Sequence, residues 1–282
     1  MPYKYFECPD DGRKVTIERC LKDCVKEERC LSLPTLRMIA QQREWTGKPS
    51  VTQLLKGTRE AYLMIVNDDL VMNPLKQLFR ILGTKGHAVL EPYADNELSE
   101  EKLVSEIVTG TFDLYDPESK ILYDYKTWGS YKVAAALGLK VVKVDTGEVY
   151  VSGAKKGQPK MKKQIVKGEP DMKDAELQLN YYRIMLEELG FPVEKMAIEA
   201  IVRDGGTYIA QSRGIDKNGY VIPVRRIPDK DVIAYFKTKR DQLLNALEKN
   251  IVPDFCTAEE CWNDRKCKNY CDVSKHCGKL EG

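Results

Sequence analysis

The placement of its cysteines constrains this chain more than any other sequence feature. Its 282 residues include nine cysteines, with none between Cys30 and Cys256. The N-terminal set is Cys8, Cys20, Cys24 and Cys30, and the C-terminal set is Cys256, Cys261, Cys267, Cys271 and Cys277. Clustered thiols in a chain without a secretory signal indicate metal ligation rather than disulfides. We therefore expect a cytoplasmic protein with a metal-binding segment near each end.

The pattern along the chain divides it into three parts. Residues 1–36 form one Cys-rich segment, residues 37–250 alternate between helical and strand patterns, and residues 251–282 form a second Cys-rich segment. The apolar runs are too short to span a membrane, so no membrane partner is expected. The mixed patterns predict an α/β fold, in which a central mixed sheet is flanked by helices and the Cys-rich ends pack against it.

Local signals place the main elements of the middle part. Helical periodicity predicts helices over residues 74–82, 174–189 and 229–249, with Gly83 and Gly190 ending the first two. β-branched and aromatic residues predict strands over residues 121–127, 196–203 and 208–212. The segment 116–120 has the composition of a tight turn.

The charge distribution is informative only locally. A net charge of +2 does not by itself suggest a nucleic-acid partner. Residues 155–167 nevertheless contain six lysines, namely Lys155, Lys156, Lys160, Lys162, Lys163 and Lys167. Such a segment either follows a phosphate backbone or forms a solvated loop, and the sequence leaves both interpretations open.

The candidate metal-binding and catalytic residues lie in an acidic hairpin. Folding the chain about the turn at residues 116–120 brings Asp113 close to Asp124 on the neighbouring strand. Side chains repeat every second residue along a strand, so Asp124 and Lys126 share a face. Two carboxylates suit a hard cation such as Mg²⁺, and the main-chain carbonyl of Tyr125 would add a third oxygen ligand. Lys126 would orient or deprotonate a water molecule, or stabilise developing negative charge.

The acidic residue and lysine two positions apart form a short motif with little specificity. The chain repeats it at Glu118–Lys120 and Asp171–Lys173, where no upstream acidic partner on a strand accompanies it. The alternative is that Asp113 and Asp124 are surface carboxylates next to a cross-strand lysine.

Four short motifs in a fixed order distinguish the two interpretations. They are Gly86-His87, Gly110-Thr-Phe-Asp113, Asp124-Tyr-Lys126 and Gln178-Leu-Asn-Tyr-Tyr182. This order resembles the RecB-like branch of the PD-(D/E)XK nucleases, which have a restriction-endonuclease-like fold. The resemblance implies that His87, Asp113 and Asp124 bind Mg²⁺ or Mn²⁺ and that Lys126 is catalytic. It further implies that Gln178, Tyr182 and Glu106 support the site or contact DNA.

The C-terminal cysteines extend the resemblance. Cys267, Cys271 and Cys277 resemble the closing motif of iron–sulfur nucleases of the CRISPR-associated and AddB type, although the first spacing is one residue longer. This implies a 4Fe-4S cluster whose fourth ligand is Cys256, Cys261 or an N-terminal cysteine. The family's opening helix supplies a cysteine where this chain has Gly57 or Thr58. Zinc is the alternative metal, and the four N-terminal thiols suffice for a zinc site of their own.

The expected function is therefore metal-dependent hydrolysis of DNA. By resemblance, the substrate is single-stranded or end-bearing DNA, the mode is exonucleolytic, and a helicase or recombination protein is the expected partner. The sequence leaves open whether the pathway is DNA repair, phage recombination or CRISPR adaptation. Two alternatives remain open from the sequence: a non-catalytic protein that binds nucleic acid through its Cys-bound metals, and a sequence-specific restriction endonuclease. The oligomeric state is not predicted.

Overall fold

The computed structural model describes residues 3–42 and 44–280, apart from the side chains of residues 84–88 and 91. The helices are α1 (Ile17–Lys22), α2 (Leu33–Ala40), α3 (Val51–Leu54), α4 (Thr58–Val66), α5 (Leu78–Leu90), α6 (Ser130–Ala136), α7 (Lys173–Glu188), α8 (Tyr208–Gln211), α9 (Asp229–Lys249), α10 (Arg265–Asn269) and α11 (Ser274–Cys277). Short 3-10 helices cover Pro74–Gln77 and Glu91–Tyr93.

The strands are β1 (Tyr5–Glu7), β2 (Lys14–Thr16), β3 (Val71–Met72), β4 (Leu98–Ser99), β5 (Lys102–Val104), β6 (Thr109–Thr111), β7 (Leu114–Asp116), β8 (Ile121–Trp128), β9 (Leu139–Val149), β10 (Pro159–Lys167), β11 (Lys195–Val202) and β12 (Gly219–Val224). No helix among the described residues combines the length and apolar character needed to cross a membrane.

A five-stranded mixed sheet organises the molecule. Its order is β12-β11-β8-β7-β4. Strands β8 and β11 run parallel to each other, and every other neighbouring pair is antiparallel. A parallel pair needs a long crossover, and here the connection includes α7, which packs against β8. This confirms the expected α/β architecture with a mixed sheet and flanking helices.

Helix α7 is the most deeply buried helix of the fold. Twelve consecutive residues from Ala175 to Leu186 are buried, polar ones included. Buried polar side chains need partners. The two terminal nitrogens of Arg183 bind Glu187 and Asp229 at 2.7 and 2.5 Å, whereas its buried Nε has no hydrogen-bond partner. Asn180 donates to the Arg225 carbonyl at 2.9 Å. These contacts fix α7 between the sheet and α9.

Most of the local predictions are confirmed. The hairpin turn forms at residues 116–120, where Asp116 Oδ1 accepts hydrogen bonds from the amides of Glu118 and Ser119. Lys120 adopts a left-handed φ of 53° at its end. The predicted strands over 121–127 and 196–203 and the helices over 174–189 and 229–249 agree with β8, β11, α7 and α9 to within one residue.

Two element predictions are wrong. The helix expected to end at Gly83 instead begins as a 3-10 turn and continues as α5 to Leu90, because no strong breaker follows the glycine. The strand expected over 208–212 is helix α8. Thr207 caps it by accepting a hydrogen bond from the Ala210 amide at 3.2 Å, and this local bond favours a helical turn over a strand.

The lysine-rich segment belongs to a long two-stranded hairpin, which we call the ribbon (β9 and β10, with the turn between them). Its strands pair with each other and with no strand of the central sheet. The amide of Gly168 donates to the Gly138 carbonyl at 2.7 Å and closes the base of the ribbon. Residues 155–158 lie in the turn of the ribbon and residues 159–167 in β10, so the segment is largely exposed but mostly strand rather than loop.

The two Cys-rich segments meet on the side of the molecule that carries α4. The Tyr3 hydroxyl donates to Asp272 Oδ2 at 2.7 Å and connects them directly. Strand β1 pairs with β2 on one side and with β3 on the other, which joins the N-terminal segment to the chain leading into α5. Helix α2 begins at Leu33 and ends at Ala40, with Pro34 in its first turn.

Candidate active site and cysteine sites

The predicted acidic residues converge where β7 and β8 pair. Leu114 pairs with Tyr123, so one further step of the register places Asp113 opposite Asp124. Asp113 Oδ2 accepts a hydrogen bond from the Tyr125 amide at 2.7 Å. Both carboxylates are buried, with exposed fractions of 7% and 1%. The interpretation of Asp113 and Asp124 as exposed surface carboxylates is therefore wrong.

Lys126 shares the Asp124 face of β8. Its Nζ lies 2.7 Å from Asp124 Oδ1, and its side chain is one quarter exposed. Burial disfavours the charged ammonium, but the attraction of Asp124 and then of Asp113 outweighs that effect and raises the pKa of Lys126. The lysine therefore keeps its positive charge at neutral pH and acts as a hydrogen-bond donor.

Helix α7 contributes two further predicted residues. Gln178 Nε2 donates to Asp124 Oδ1 at 3.2 Å. Tyr182 is buried, and burial followed by the charges of Asp124 and Asp113 raises the pKa of Tyr182. Both helix residues therefore lie close to Asp124, which Gln178 contacts directly.

Gly110 has a steric role in this arrangement. A Cβ atom at position 110 would overlap the ring of Tyr182, with the tyrosine hydroxyl oxygen 3.0 Å away. Glycine is the one residue that lets β6 approach the helix this closely. The glycine of one sequence motif thus packs against the tyrosine of another, which explains physically why the two occur together.

The site retains one buried oxygen that no protein group satisfies. Asp124 Oδ2 is among the few buried side-chain polar atoms in the described part of the chain that have no hydrogen-bond partner. Leaving such an atom unsatisfied costs about 1–3 kcal/mol. A divalent cation bound by Asp113 and Asp124 would remove this cost, and paired carboxylates are the ligands such ions prefer. The residues present therefore fit a hard metal ion.

Two other predicted site residues are placed differently. His87 lies within α5, a helix that packs against β8, rather than after a helix. Its side chain lies outside the described residues. Glu106 is exposed in the turn between β5 and β6, where its carbonyl accepts a hydrogen bond from Arg240. The expectation that Glu106 supports the site or contacts DNA therefore stays a prediction.

The C-terminal cysteines gather around a small cavity. Four of the five line it: Cys256, Cys267, Cys271 and Cys277. Arg59 Nε donates to Cys277 Sγ at 3.3 Å, and its other nitrogens donate to the carbonyls of Pro253 and Cys277 at 2.6 Å. Arg59 therefore fastens the C-terminal segment to α4 and places a positive charge beside a thiol.

Cys256 occupies the space that a side chain at position 57 would take. A Cβ atom built on Gly57 would overlap Cys256 Sγ and lie 3.1 Å from Cys256 Cβ. The Cys256 thiol of the C-terminal segment therefore lies against the residue that precedes α4. The sequence left Cys256 as one of several candidates for the fourth cluster ligand. Its proximity to Gly57 could not be predicted, because the two residues are far apart in the chain.

Cys261 is arranged differently from the other four. It lies beside Cys267, and its sulfur is 3.4 Å from Asp264 Oδ1 and 3.2 Å from Lys279 Nζ. The ligand atoms of Cys261, Asp264 and Cys267 all lie within 4.8 Å of one another, the tightest group of potential metal ligands that the described residues contain. Cys267 is common to this group and to the cavity.

The solved structures that resemble this chain share little sequence with it. No family model matches the chain, and no curated protein does. One similar solved structure is titled "Crystal structure of SSO0001", with 16% identity, a TM-score of 0.43, and coverage of 86% of this chain and 91% of that one. Another is a phage-related exonuclease from Haemophilus somnus 129PT, with 11% identity, a TM-score of 0.38, and coverage of 72% and 96%. Similarities at this level leave the function to be argued from the site.

Proposed function

We propose that this chain is a metal-dependent nuclease with a restriction-endonuclease-like core that hydrolyses phosphodiester bonds in DNA. The observation that supports this most is the buried Asp124 oxygen that lacks a partner. The other oxygen of the same carboxylate contacts the charged Lys126, and a second buried carboxylate, Asp113, follows opposite it in the strand register. A purely structural ion pair has no need of an extra acidic group with an unsatisfied oxygen.

Each site residue has a distinct role in this proposal. A bound Mg²⁺ or Mn²⁺ ion supplies Lewis-acid stabilisation and lowers the pKa of a water molecule. Asp113 and Asp124 would hold the ion, together with His87 and the Tyr125 carbonyl. Lys126 donates to a phosphate oxygen as negative charge develops there. Gln178 orients Asp124, and Tyr182 supports Gln178.

The ribbon is the proposed contact surface for DNA. Eight of its residues are lysines and two are acidic; the lysines are Lys140, Lys143, Lys155, Lys156, Lys160, Lys162, Lys163 and Lys167. Lys143 and Lys163 lie directly opposite each other in the register, a like-charge pair that weakens an isolated hairpin. A polyanion bound across both strands would reverse that repulsion. A two-stranded ribbon also fits the major groove of a duplex.

The proposal also covers the mode of DNA cleavage and the metal bound by the C-terminal cysteines. We propose that the nuclease acts as an exonuclease on single-stranded or end-bearing DNA. We also propose that Cys256, Cys267, Cys271 and Cys277 bind a 4Fe-4S cluster. The cavity that these four thiols line and the Arg59 donor to Cys277 support the second proposal, because hydrogen bonds to sulfur stabilise thiolate ligands.

The decisive experiment measures cleavage of end-labelled single- and double-stranded DNA with Mg²⁺, Mn²⁺ or chelator. We expect metal-dependent cleavage that Lys126→Ala lowers by about 100-fold or more, because a donor to the developing charge is lost. Lys120→Ala is the matched control, since Lys120 follows an acidic residue by two positions but pairs with Glu194 in an exposed turn. Its activity should equal that of the native chain.

Each outcome of the cleavage experiment indicates a different class of protein. A ladder of shortened products indicates an exonuclease, whereas discrete fragments of long duplex DNA indicate a restriction endonuclease. Folded, metal-loaded native protein that binds DNA without cutting it would favour the non-catalytic binding protein. Equal loss of activity in Lys120→Ala and Lys126→Ala would remove the evidence for this site.

Iron and sulfide analysis tests the cluster separately. Cys256→Gly should lose the cluster from anaerobically purified protein, and the added substitution Gly57→Cys should restore part of it, because position 57 faces the same space. Unchanged iron and sulfide in Cys256→Gly would exclude Cys256 as a ligand.

A further inference from the structure

The part of the N-terminal segment that carries the cysteines has little fully buried apolar surface, although Ile17, Leu21 and Leu31 pack against the core from partly exposed positions. Strand β2 and helix α1 contain no buried residue, and Phe6 is the buried residue of β1. The hairpin strands are three residues long and the helix is six. Segments of this kind normally need a disulfide or a metal to become stable. Its cysteines are free thiols, so disulfides do not supply that stability.

Four different local structures bring the four N-terminal cysteines to one place. Cys8 follows β1 in a tight turn, in which its amide donates to the Arg13 carbonyl and its carbonyl accepts from the Gly12 amide, both at 2.8 Å. Cys20 lies on α1, and Cys24 begins the turn after that helix. Cys30 lies shortly before α2. All four line the same cavity of about 30 Å³.

Arg29 provides a second, independent indication. It lines the cavity, and its guanidinium donates to the carbonyls of Leu21 and Lys22 at 3.1 and 3.3 Å. Its Nε atom is buried and has no hydrogen-bond partner. A buried N–H group without an acceptor is costly, whereas a thiolate in the cavity would accept its hydrogen bond. The positive charge would also offset that of the thiolates.

We propose that the four N-terminal thiols bind one thiophilic metal centre, separate from the C-terminal cysteines. The ligands are Cys8, Cys20, Cys24 and Cys30. Four thiolates suit zinc or an iron–sulfur cluster and disfavour Mg²⁺ and Ca²⁺, which prefer oxygen. This inference does not depend on the proposed nuclease activity.

The spacing of the thiols bears on which metal binds. No three of these sulfurs lie within 4.8 Å of one another. Sulfurs around a tetrahedral zinc ion are about 3.8 Å apart, given bonds of about 2.3 Å. A single zinc ion would therefore draw the four local structures together, whereas a cluster, being larger, bridges wider gaps.

The centre would connect the N-terminal segment to the active-site region. Leu36 of α2 and Pro74 of the 3-10 turn before α5 line the same cavity. Helix α5 in turn packs against β8, which carries Asp124 and Lys126. Metal at the N-terminal site would thus hold α2 and the start of α5 against each other.

Metal analysis of the full chain tests the proposal. We compare zinc, iron and acid-labile sulfide in native protein, in Cys20→Ser/Cys24→Ser and in the matched C-terminal variant Cys267→Ser/Cys271→Ser. The N-terminal variant should lose one centre and keep the other, and the C-terminal variant should do the reverse. Loss of zinc alone identifies a zinc site, and loss of iron with sulfide identifies a cluster. Unchanged metal in the N-terminal variant overturns the proposal.

Alkylation of the native protein covers the case in which the serine variant fails to fold. The four N-terminal thiols should react at least 10-fold more slowly before chelation than after it, as mass spectrometry of the labelled peptides would show. Cys24→His, which keeps a metal-binding group, should retain zinc if zinc is the metal. Rapid alkylation of all four thiols in metal-loaded native protein would also overturn the proposal.

Discussion

The two hairpins that follow each other along the chain, β7–β8 and the ribbon, are built by the same antiparallel pairing but differ in their surroundings. The first lies within the central sheet, and its Asp113 and Asp124 are at most 7% exposed. The ribbon pairs only with itself, and most of its lysines are exposed. One hairpin therefore fixes a few charges in a low-dielectric environment, and the other presents many charges to solvent.

Under the proposed function, this difference gives the two hairpins different roles. Electrostatic stabilisation of a reaction is strongest where groups are held rigidly and shielded from water. Attraction of a polyanion instead depends on the number of exposed cations and weakens with salt. If the comparison holds, changes in the first hairpin should alter the rate of the chemical step, and changes in the ribbon should alter DNA affinity.

The largest effect should come from Asp124→Asn. The amide keeps the shape of the side chain but removes the charge that would hold the metal ion, so we expect a loss of about 100- to 1,000-fold in cleavage rate at saturating DNA. Single-turnover kinetics in Mn²⁺ measure this rate. Glu199→Gln is the matched control. Glu199 pairs with Tyr125 on the neighbouring strand, so its side chain lies on the sheet face opposite to that of Asp124. Similar rates for both variants would contradict the assignment.

Removal of the ribbon should have the next largest effect. Because Gly138 and Gly168 are hydrogen-bonded, a short turn can join them without disturbing the sheet. We expect DNA affinity to fall by about 10- to 100-fold at moderate salt, and the dependence of log K on log salt to become shallower. The rate at saturating DNA should change little. Fluorescence anisotropy over a salt series measures both quantities.

A charge-only version of this experiment separates charge from shape. Substituting Lys143, Lys163 and Lys167 with glutamine removes three lysines from one face of the ribbon. The control replaces three exposed lysines of α9, Lys230, Lys237 and Lys249, in the same way. Equal losses of affinity in the two triple variants would show that overall charge, rather than the ribbon, binds DNA.

The smallest effect should come from Gly110→Ala, next to the first hairpin. The added methyl group overlaps the ring of Tyr182 and should lower the free energy of unfolding by about 1–3 kcal/mol, with a modest loss of cleavage rate. Thermal unfolding measures the stability. In the control Gly83→Ala the added Cβ meets no neighbouring atom within 4 Å, and a helical alanine should stabilise the protein by up to about 1 kcal/mol. A stabilised Gly110→Ala variant would show that the close packing has no energetic importance.

The acidic hairpin could be derived from sequence because every determinant is local. The turn residues from Asp116 to Lys120 set the loop, and strand periodicity then puts Asp113 opposite Asp124. The helix of Gln178 could be found from its periodicity, but its contact with Asp124 depended on the resemblance of motifs. The strand predicted at residues 208–212 failed because a capping hydrogen bond outweighed β propensity.

At the cysteine sites, the sequence could not predict which residues come into contact. Spacing indicated two sets of thiols, yet it could not say which cysteine lies next to Gly57. That contact depends on how the C-terminal segment packs on α4, through Arg59 and the ion pair of Lys266 with Glu60 at 2.5 Å. Contacts between residues distant in the chain follow from tertiary packing, which no local pattern encodes. The role of Arg59 was missed for the same reason.

The closed base of the ribbon has a consequence for how this protein can vary. Gly138 has a φ of +71°, and a Cβ there would overlap the Gly168 carbonyl, so the chain leaves and re-enters the core through one narrow point. Residues 150–158 form the exposed far end of the ribbon, whose strands pair with each other and not with the central sheet. An inserted peptide or a fluorescent label in that turn should leave the core intact, which makes the ribbon a suitable position for lengthening, grafting or attaching a reporter.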